Sequence, residues 1–226
     1  MKRFLDIVLS FLALVALAPF LLPVIVILKF TGEGEVFYIQ ERVGRWGCSF
    51  GLYKFATMLK NSPNIGAGEI TVRDDPRVLP FGKFLRKTKL NELPQLLNIF
   101  IGDMSVVGPR PMVPKTYSNY PAEARSKLNS VRPGLTGIGS IIFRDEESYL
   151  VGQEEPMEFY KTHLIPYKSD LEVWFVENNT LGLYIKLIFI TAWVVIFPNS
   201  VIAHRAFKDI PKMPSSLSQS HVKIKY

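Results

Sequence analysis

The stretch "KTKLNELPQLLNIFIGDMSVVGPRP", residues 87–111, combines one acidic residue and one arginine with unusually constrained backbone. Asn91 and Glu92 stand just ahead of a proline and an apolar run, and Arg110 lies between two further prolines. Proline is favoured in the first turn of a helix, where its missing N–H group costs little. The pattern therefore predicts a helix over residues 92–101 with Glu92 at its N-terminal end.

The pair of Asn91 and Glu92 has two interpretations. Asn is a preferred N-cap residue and an early Glu complements the helix dipole, so helix capping is the better interpretation of the pair alone. However, the unpaired N–H groups of a helix start also bind phosphate, and basic residues stand just upstream: Arg86, Lys87 and Lys89. A carboxylate among phosphates and lysines suggests Mg²⁺, which usually takes one or two protein carboxylates plus substrate oxygens.

Arg110 and Arg132 are both presented by proline-constrained backbone. Pro109 and Pro111 flank the first, and a Pro-Gly pair that predicts a type II turn follows the second in "VRPGL", residues 131–135. Two arginines held in this way suit a diphosphate, because arginine binds phosphate through two parallel hydrogen bonds. For either arginine alone a solvated turn is the better interpretation; for both, beside a basic helix start, we favour phosphate binding.

Composition limits the classes of partner and of chemistry. The net charge of +7 over 226 residues predicts an anionic partner: nucleic acid, lipid headgroups or a phosphorylated substrate. The single Cys48 excludes an internal disulfide. His163, His204 and His221 lack the spacing of a zinc site, and the sequence has no P-loop or dinucleotide-binding glycine pattern. Carboxylate and arginine chemistry therefore remain.

An almost wholly apolar segment covers residues 7–28, and a helix of that length matches the roughly 30 Å hydrocarbon core of a bilayer. Pro19 and Pro23 each remove a backbone donor and bend such a helix. Basic residues flank the segment on both sides: Lys2, Arg3, Lys29, Arg42, Arg45 and Lys54. We therefore predict a re-entrant helix that dips into one leaflet and returns, which makes the protein monotopic with its polar body facing the cytoplasm.

Two alternatives to the re-entrant helix remain open. A simple membrane-spanning helix has the same length and composition. A cleaved signal peptide with small residues at 16–18 is weaker, because the hydrophobicity continues ten residues past that site.

Outside this segment the patterns predict an α+β, helix-rich fold. Glycines and alternating apolar residues predict a hairpin within 31–60, the composition of 61–78 is typical of a loop, and helical patterns follow at 92–101, 113–129 and 181–197. The last helix is too short to span a bilayer and either lies against the membrane or belongs to the core. The predicted organisation is a re-entrant membrane helix (1–30), a cytoplasmic catalytic domain with membrane-associated amphipathic helices (31–206) and a disordered tail (207–226).

The ordered motifs resemble those of a known family. They are "KRFLDIVLS", "QERVGR", "YKFATM", "DDPRVLPFGKFLRKT", "NELPQLLN", "GDMSVVGPRP" and "VRPGLTG". Over residues 2–140, and more weakly near residue 190, the chain resembles the bacterial sugar transferases that initiate surface glycans, the small monotopic phosphoglycosyl transferases.

The resemblance implies transfer of a sugar phosphate from a UDP-sugar to undecaprenyl phosphate, with release of UMP. It also implies Mg²⁺, a re-entrant helix, the cytoplasmic face of the bacterial inner membrane and no nucleic acid partner; the oligomeric state stays open, with a homodimer as one alternative. The expected catalytic residues are Arg86, Asn91 and Glu92, with Glu92 as the metal ligand. The expected substrate-binding residues are Lys54, Pro109, Arg110, Pro111 and Arg132.

Asn91 and Ala56 depart from the family pattern. Asn91 occupies the position of the nucleophilic Asp of an Asp-Glu pair, and Ala56 replaces a second basic residue in the "YKF" motif. Three hypotheses follow: Glu92 becomes the nucleophile, the phosphosugar passes directly between two bound substrates, or the chain is inactive. A membrane-anchored binding or scaffold protein is therefore an alternative function, and a nucleic-acid-binding protein is a distant third.

Overall fold

The structure is a computed structural model that describes residues 1–65, 75–144, 146–150, 152–197, 200, 202, 206–207 and 209–217. The chain forms two compact units. The first contains Met1, Arg3–Glu41 and Gly51–Gly102; the second contains Lys2, Arg42–Phe50 and Asp103–Tyr226.

The first unit begins with the long apolar helix α1, Lys2–Phe30, which continues through Pro19 and Pro23. Among the described residues it is the one helix long and apolar enough to cross a membrane, with a mean hydropathy of 2.9. Its buried residues lie near its two ends, at Asp6, Ser10, Val24 and Leu28. Its middle carries exposed apolar side chains: Phe11, Leu12, Val15, Phe20 and Leu22.

The other elements of the first unit surround a small core of Val24, Leu28, Phe55 and Leu85. The strands β1 (Phe37–Val43) and β2 (Ser49–Phe55) form the predicted hairpin, with a 3₁₀ turn at Arg45–Gly47 that belongs to the second unit. Helix α2 (Pro80–Lys87) is followed by a 3₁₀ turn at Leu90–Glu92 and by helix α3 (Gln95–Ile101). A further 3₁₀ turn, Ser62–Asn64, begins the predicted loop, whose residues 66–74 lie outside the described part of the chain.

The second unit is built on a short parallel sheet. Strand β3 (Ser105–Val107) pairs with β4 (Gly134–Thr136), with Ser105 opposite Gly134 and Val107 opposite Thr136. The surrounding helices are α4 (Pro114–Tyr117), α5 (Ala122–Leu128), α6 (Ile138–Ile142), α7 (Pro156–Phe159), α8 (Ile165–Glu177) and α9 (Leu181–Ile196). A π-helical turn at Tyr160–Leu164 joins α7 to α8.

The structure confirms a helix-rich fold with small sheets and corrects several details. The predicted helix over 92–101 begins only at Gln95, so Glu92 lies in the preceding 3₁₀ turn. The helix expected over 113–129 is interrupted before Pro121 and becomes α4 and α5. The prediction of a type II turn at the Pro-Gly pair is wrong, because Gly134 does not have the positive φ that this turn requires and instead begins β4.

The predicted helix over 181–197 is confirmed as α9, which begins where the Thr180 hydroxyl accepts the Leu183 N–H at 3.1 Å. Re-entry of α1 and the domain boundaries stay predictions. The predicted tail over 207–226 lies partly outside the described residues, whereas Phe207 and Leu217 within it are buried.

Candidate active site

An acidic turn in the first unit carries Asn91 and Glu92. The turn begins at Lys89, which has the left-handed φ of 61°, and the Glu92 N–H donates to the Lys89 carbonyl at 3.1 Å. Leu90 packs on the core around Leu85 and thereby anchors the turn. Asn91 is buried and Glu92 is half-buried, so the two polar side chains are fixed by the apolar residues beside them.

Helix α2 places Arg86 beside this turn. Gly82 lets α2 approach the backbone of Thr57 so closely that a Cβ atom would collide with the Thr57 carbonyl. Arg86 lies in the last turn of α2, half-buried, with its Nη1 donating to Met58 Sδ at 3.7 Å. A half-buried cation at this position can stabilise phosphate charge next to Glu92.

Lys54 reaches the same unit from β2. The side chain of Asn98, in α3, fixes this strand: its Oδ1 accepts the Tyr53 N–H at 3.0 Å and its Nδ2 donates to the Gly51 carbonyl at 2.8 Å. Lys54 is half-buried. The first unit therefore holds four predicted site residues: Lys54, Arg86, Asn91 and Glu92.

The Asn91 side chain is relevant to metal binding. Its Oδ1 is buried and accepts no hydrogen bond from any residue that the structure describes. An unpaired buried amide oxygen next to the Glu92 carboxylate has the chemistry of a hard-cation ligand. The described residues contain no cluster of three or more His, Cys, Asp or Glu side chains, so a cation here depends on substrate oxygens and water as well. Mg²⁺ typically binds in this way, and the residues present fit it.

The parallel pairing of β3 with β4 brings together the proline-constrained arginines of the second unit. Pro109–Pro111 follows β3, and Arg132 precedes β4. The Gly134 N–H donates to the Pro109 carbonyl at 2.8 Å, and the Ser105 N–H donates to the Pro133 carbonyl at 2.9 Å. The prolines 109, 111 and 133 are buried, whereas Arg110 is exposed and Arg132 is half-buried. The predicted rigid support beneath each guanidinium is therefore present.

Gly108 and Gly134 make this pairing possible. A Cβ atom on Gly108 would meet the Arg132 carbonyl, and a Cβ atom on Gly134 would meet the Gly108 backbone nitrogen. The two backbones therefore approach more closely than any other residue type allows. The glycines in "GPRP" and "RPG" are explained by this close approach.

The hairpin tip also contacts the Pro-Arg-Pro segment within the second unit. Arg42 Nη1 donates to the Pro111 carbonyl at 2.9 Å. A shallow pocket here is lined by residues that include Gly44, Arg110, Tyr117 and Asn129, and the Tyr117 hydroxyl donates to Asn129 Oδ1 at 2.7 Å. Sequence reasoning missed Arg42, Tyr117 and Asn129 as neighbours of Arg110, because contacts between distant segments leave no local pattern.

Sequence reasoning also missed Glu172 and Lys168 in α8. Burial raises the pKa of the Glu172 carboxyl to about 7, although the Arg110 N–H and the charges of Lys168 and Arg110 act to lower it. Burial acts to lower the pKa of Lys168, but Glu146 at 2.6 Å and Tyr160 together outweigh this effect, so the pKa is raised. The sequence offers only a weak signal, a Lys and a Glu at i,i+4 in a helix that also carries other polar residues.

Comparison with known proteins identifies the family. Residues 1–198 match the profile described as bacterial sugar transferase. This chain belongs to the bacterial sugar transferase family. It is therefore a transferase.

Three relatives of this sugar transferase illustrate the similarity. It is 42% identical over 162 residues to the exopolysaccharide production protein ExoY of Sinorhizobium fredii, an alignment that covers 66% of the chain and 71% of ExoY. It is 33% identical over 211 residues to an undecaprenyl-phosphate galactose phosphotransferase of Salmonella typhimurium; the alignment covers 87% of the chain and 40% of that protein. It is 32% identical over 195 residues to a UDP-glucose:undecaprenyl-phosphate glucose-1-phosphate transferase of Klebsiella pneumoniae; the alignment covers 85% of the chain and 39% of that protein. The chain thus spans about two-fifths of the last two proteins.

Proposed function

We propose that this sugar transferase moves a sugar 1-phosphate from a UDP-sugar to undecaprenyl phosphate, which yields UMP and an undecaprenyl diphosphate sugar. The names of the Salmonella and Klebsiella relatives support this reaction. The observation that carries the proposal is the exposed Arg110 on buried prolines beside Arg132, because such a pair suits a diphosphate. The acidic turn with Asn91 and Glu92 offers a carboxylate, which phosphoryl transfer also uses.

Each residue has a proposed part in the reaction. Arg110 and Arg132 bind and orient the diphosphate, while Lys54 and Arg86 stabilise charge on the phosphoryl oxygens. Glu92 and the Asn91 Oδ1 would hold Mg²⁺. The ion, when bound, supplies Lewis-acid neutralisation of phosphate charge.

Glu92 is the strongest candidate for covalent catalysis, because the neutral Asn91 amide has no carboxylate oxygen that could act as the nucleophile. In that mechanism a Glu92 oxygen attacks the phosphorus that carries the sugar, and the bond to UMP breaks. An undecaprenyl phosphate oxygen then attacks the same phosphorus and releases the Glu92 carboxylate. In the direct mechanism undecaprenyl phosphate itself displaces UMP, and Glu92 only positions the reactants.

Intact-mass measurement distinguishes these mechanisms. Purified protein is incubated with UDP-sugar and Mg²⁺ but without undecaprenyl phosphate. A phosphosugar adduct that disappears in Glu92→Gln and persists in the surface control Glu123→Gln supports the covalent mechanism. Turnover on addition of acceptor without any adduct supports the direct one. If UDP-sugar binds without UMP release and Asn91→Asp restores release, the chain is the inactive binding homologue that the neutral Asn91 would explain.

We further propose that α1 is re-entrant and the protein monotopic. Both ends of α1 are attached to the first unit: Arg3 Nη1 and Nη2 donate to the carbonyls of Ile99 and Phe100 at 2.6 and 2.8 Å, and Leu28 packs on Phe55. A straight helix of 29 residues is about 43 Å long, so a spanning helix would place its two ends on opposite sides of the roughly 30 Å bilayer core. Because one polar unit holds both ends, we favour a helix whose exposed middle dips into one leaflet, with the polar unit on the cytoplasmic face.

Cysteine labelling tests this topology. In a Cys48→Ser background, a cysteine before Met1 and one at Glu33 are labelled with a membrane-impermeant maleimide in oriented vesicles. Labelling of both sites only from the cytoplasmic side supports re-entry. Labelling of the two sites from opposite sides shows a membrane-spanning helix.

A further inference from the structure

Glu172 occupies an unusual position behind the Pro109–Pro111 segment. The residue is 3% exposed, and its Oε1 accepts the Arg110 N–H at 3.4 Å. The backbone of Gly139, in α6, approaches so closely that a Cβ atom there would collide with Oε1. The other oxygen, Oε2, is buried and has no hydrogen-bond partner in the described part of the chain.

The Arg110 N–H is chemically distinctive within its segment. Proline has no N–H group, so Arg110 carries the one backbone donor of Pro109–Pro111. Glu172 accepts this donor. A carboxylate therefore binds the segment at its one exposed residue, Arg110, and the flanking prolines stiffen the backbone on either side.

Structural stabilisation alone is a weak explanation for Glu172. A buried carboxylate usually stabilises a fold less than an apolar side chain of similar volume, because desolvation is expensive. A buried carboxylate in contact with the Arg110 backbone therefore points to a role in function. The groups that face it are Arg110 from the Pro-Arg-Pro segment, Lys168 on its own helix and Tyr120 after α4. Glu146 and Tyr160 act on Lys168 and Tyr120 behind them.

We propose that ionised Glu172 is a positioning residue, which fixes the Arg110 backbone and so sets where the Arg110 guanidinium meets the diphosphate of the substrate. The inference rests on the proposed function, since it assumes that Arg110 binds the nucleotide. An ionised carboxylate holds the N–H more strongly than the neutral acid does. Protonation of Glu172 therefore loosens Arg110 and weakens nucleotide binding.

The pKa of Glu172 makes this dependence measurable near neutral pH. Burial raises the pKa to about 7 against the opposing effects of the Arg110 N–H, Lys168 and the Arg110 charge. With this pKa, the Glu172 carboxyl is ionised in about nine-tenths of the molecules at pH 8 and in about one-tenth at pH 6. If only the ionised form binds well, the apparent affinity falls about tenfold over this range.

The experiment measures UDP binding to the full-length protein in detergent by isothermal titration calorimetry at pH 8 and pH 6. The variants are Glu172→Gln, which keeps the shape and removes the charge, and Glu172→Asp, which keeps the charge. The control is Glu177→Gln on the exposed face of the same helix, where Glu177 pairs with Lys127 at 2.8 Å. The titration of UDP itself is common to all variants and cancels in their ratios.

We expect Glu172→Gln to bind UDP at least tenfold more weakly than the unaltered protein at pH 8 and to lack the fall in affinity that the unaltered protein shows between pH 8 and pH 6. Glu172→Asp should recover the pH dependence, and Glu177→Gln should behave as the unaltered protein. Equal affinities of Glu172→Gln and the unaltered protein at both pH values overturn the inference. Tighter binding by Glu172→Gln also overturns it, because Glu172 would then act by repelling the diphosphate.

The outcome for Arg110→Ala separates this inference from the proposed function. If Arg110→Ala weakens UDP binding and Glu172→Gln does not, then only the positioning role of Glu172 is contradicted. Failure of the unaltered protein to bind UDP, or binding that Arg110→Ala leaves unchanged, overturns the nucleotide assignment together with the inference. If Glu172→Gln does not fold, loss of the affinity difference between pH 8 and pH 6 in Glu172→Asp still refutes the role.

Discussion

The substitution Gly134→Ala tests whether close backbone pairing organises the proposed diphosphate site. The added Cβ atom would lie 2.6 Å from Gly108 Cα and closer still to the Gly108 nitrogen, whereas ordinary contact begins near 3.4 Å, so the strands must separate by at least about 0.8 Å. Hydrogen bonds between the strands of 2.8–2.9 Å would lengthen to at least about 3.6 Å, at which they no longer count as hydrogen bonds.

The expected cost follows from the bonds that cross this sheet. Three of the backbone hydrogen bonds between the two segments are donated by Ser105, Gly108 and Gly134. At about 1 kcal/mol net for each, we expect Gly134→Ala to lower the free energy of unfolding by about 3 kcal/mol. For a domain of this size that corresponds to a fall of about 6–12 °C in the unfolding temperature.

Tryptophan fluorescence during thermal unfolding measures this change, since Trp46, Trp174 and Trp193 all belong to the second unit. The matched control is Gly182→Ala in α9, whose Cβ would have its nearest neighbour at 3.9 Å and should be neutral or slightly stabilising. UDP binding should weaken in Gly134→Ala only. If the unfolding temperature of Gly134→Ala lies within about 2 °C of that of the unaltered protein, close pairing at Gly134 does not stabilise this sheet.

The remaining predictions concern charge. Asp75→Asn should lower the unfolding temperature by several degrees, because Arg77 then remains buried without the carboxylate at 2.6 Å, whereas Glu35→Gln in an exposed pair should have little effect. The pKa of Glu172 is raised from 4.5 to about 7, so its contribution to stability is present below pH 4.5 and is lost as the pH rises through 7. Chemical denaturation should therefore show Glu172→Gln to be more stable than the unaltered protein at pH 8, by up to about 3 kcal/mol, with no such gain at pH 4.5. Arg3→Ala removes two hydrogen bonds to the end of α3 and should accelerate amide exchange over residues 95–101 relative to Lys29→Ala; equal exchange rates would contradict this role for Arg3.

Features encoded by local chemistry were predictable from the sequence. The hairpin follows from glycines and alternating apolar residues, and α9 follows from a long apolar run that starts at Thr180. The exposed Arg110 on buried prolines also follows from its immediate neighbours, since proline fixes the backbone on both sides.

Features produced by distant contacts were not predictable from such patterns. The strands β3 and β4 contain three residues each, too few to show a period of two, and their pairing depends on glycines far apart in the chain. The Pro-Gly pair after Arg132 favoured a turn, but pairing with Pro109 keeps Gly134 in a strand. The contact between Glu172 and Arg110 spans 62 residues and leaves no local signal.

Nucleotide release during turnover tests the proposed reaction most directly. Full-length protein is incubated with undecaprenyl phosphate, Mg²⁺ and each of UDP-glucose, UDP-galactose and UDP-N-acetylgalactosamine, and the released nucleotide is identified by mass. We expect UMP in equal amount to a lipid-extractable diphosphate sugar with at least one donor, and loss of both in Glu92→Gln. Release of UDP instead of UMP, or UMP release that Glu92→Gln leaves unchanged, would contradict the proposed reaction.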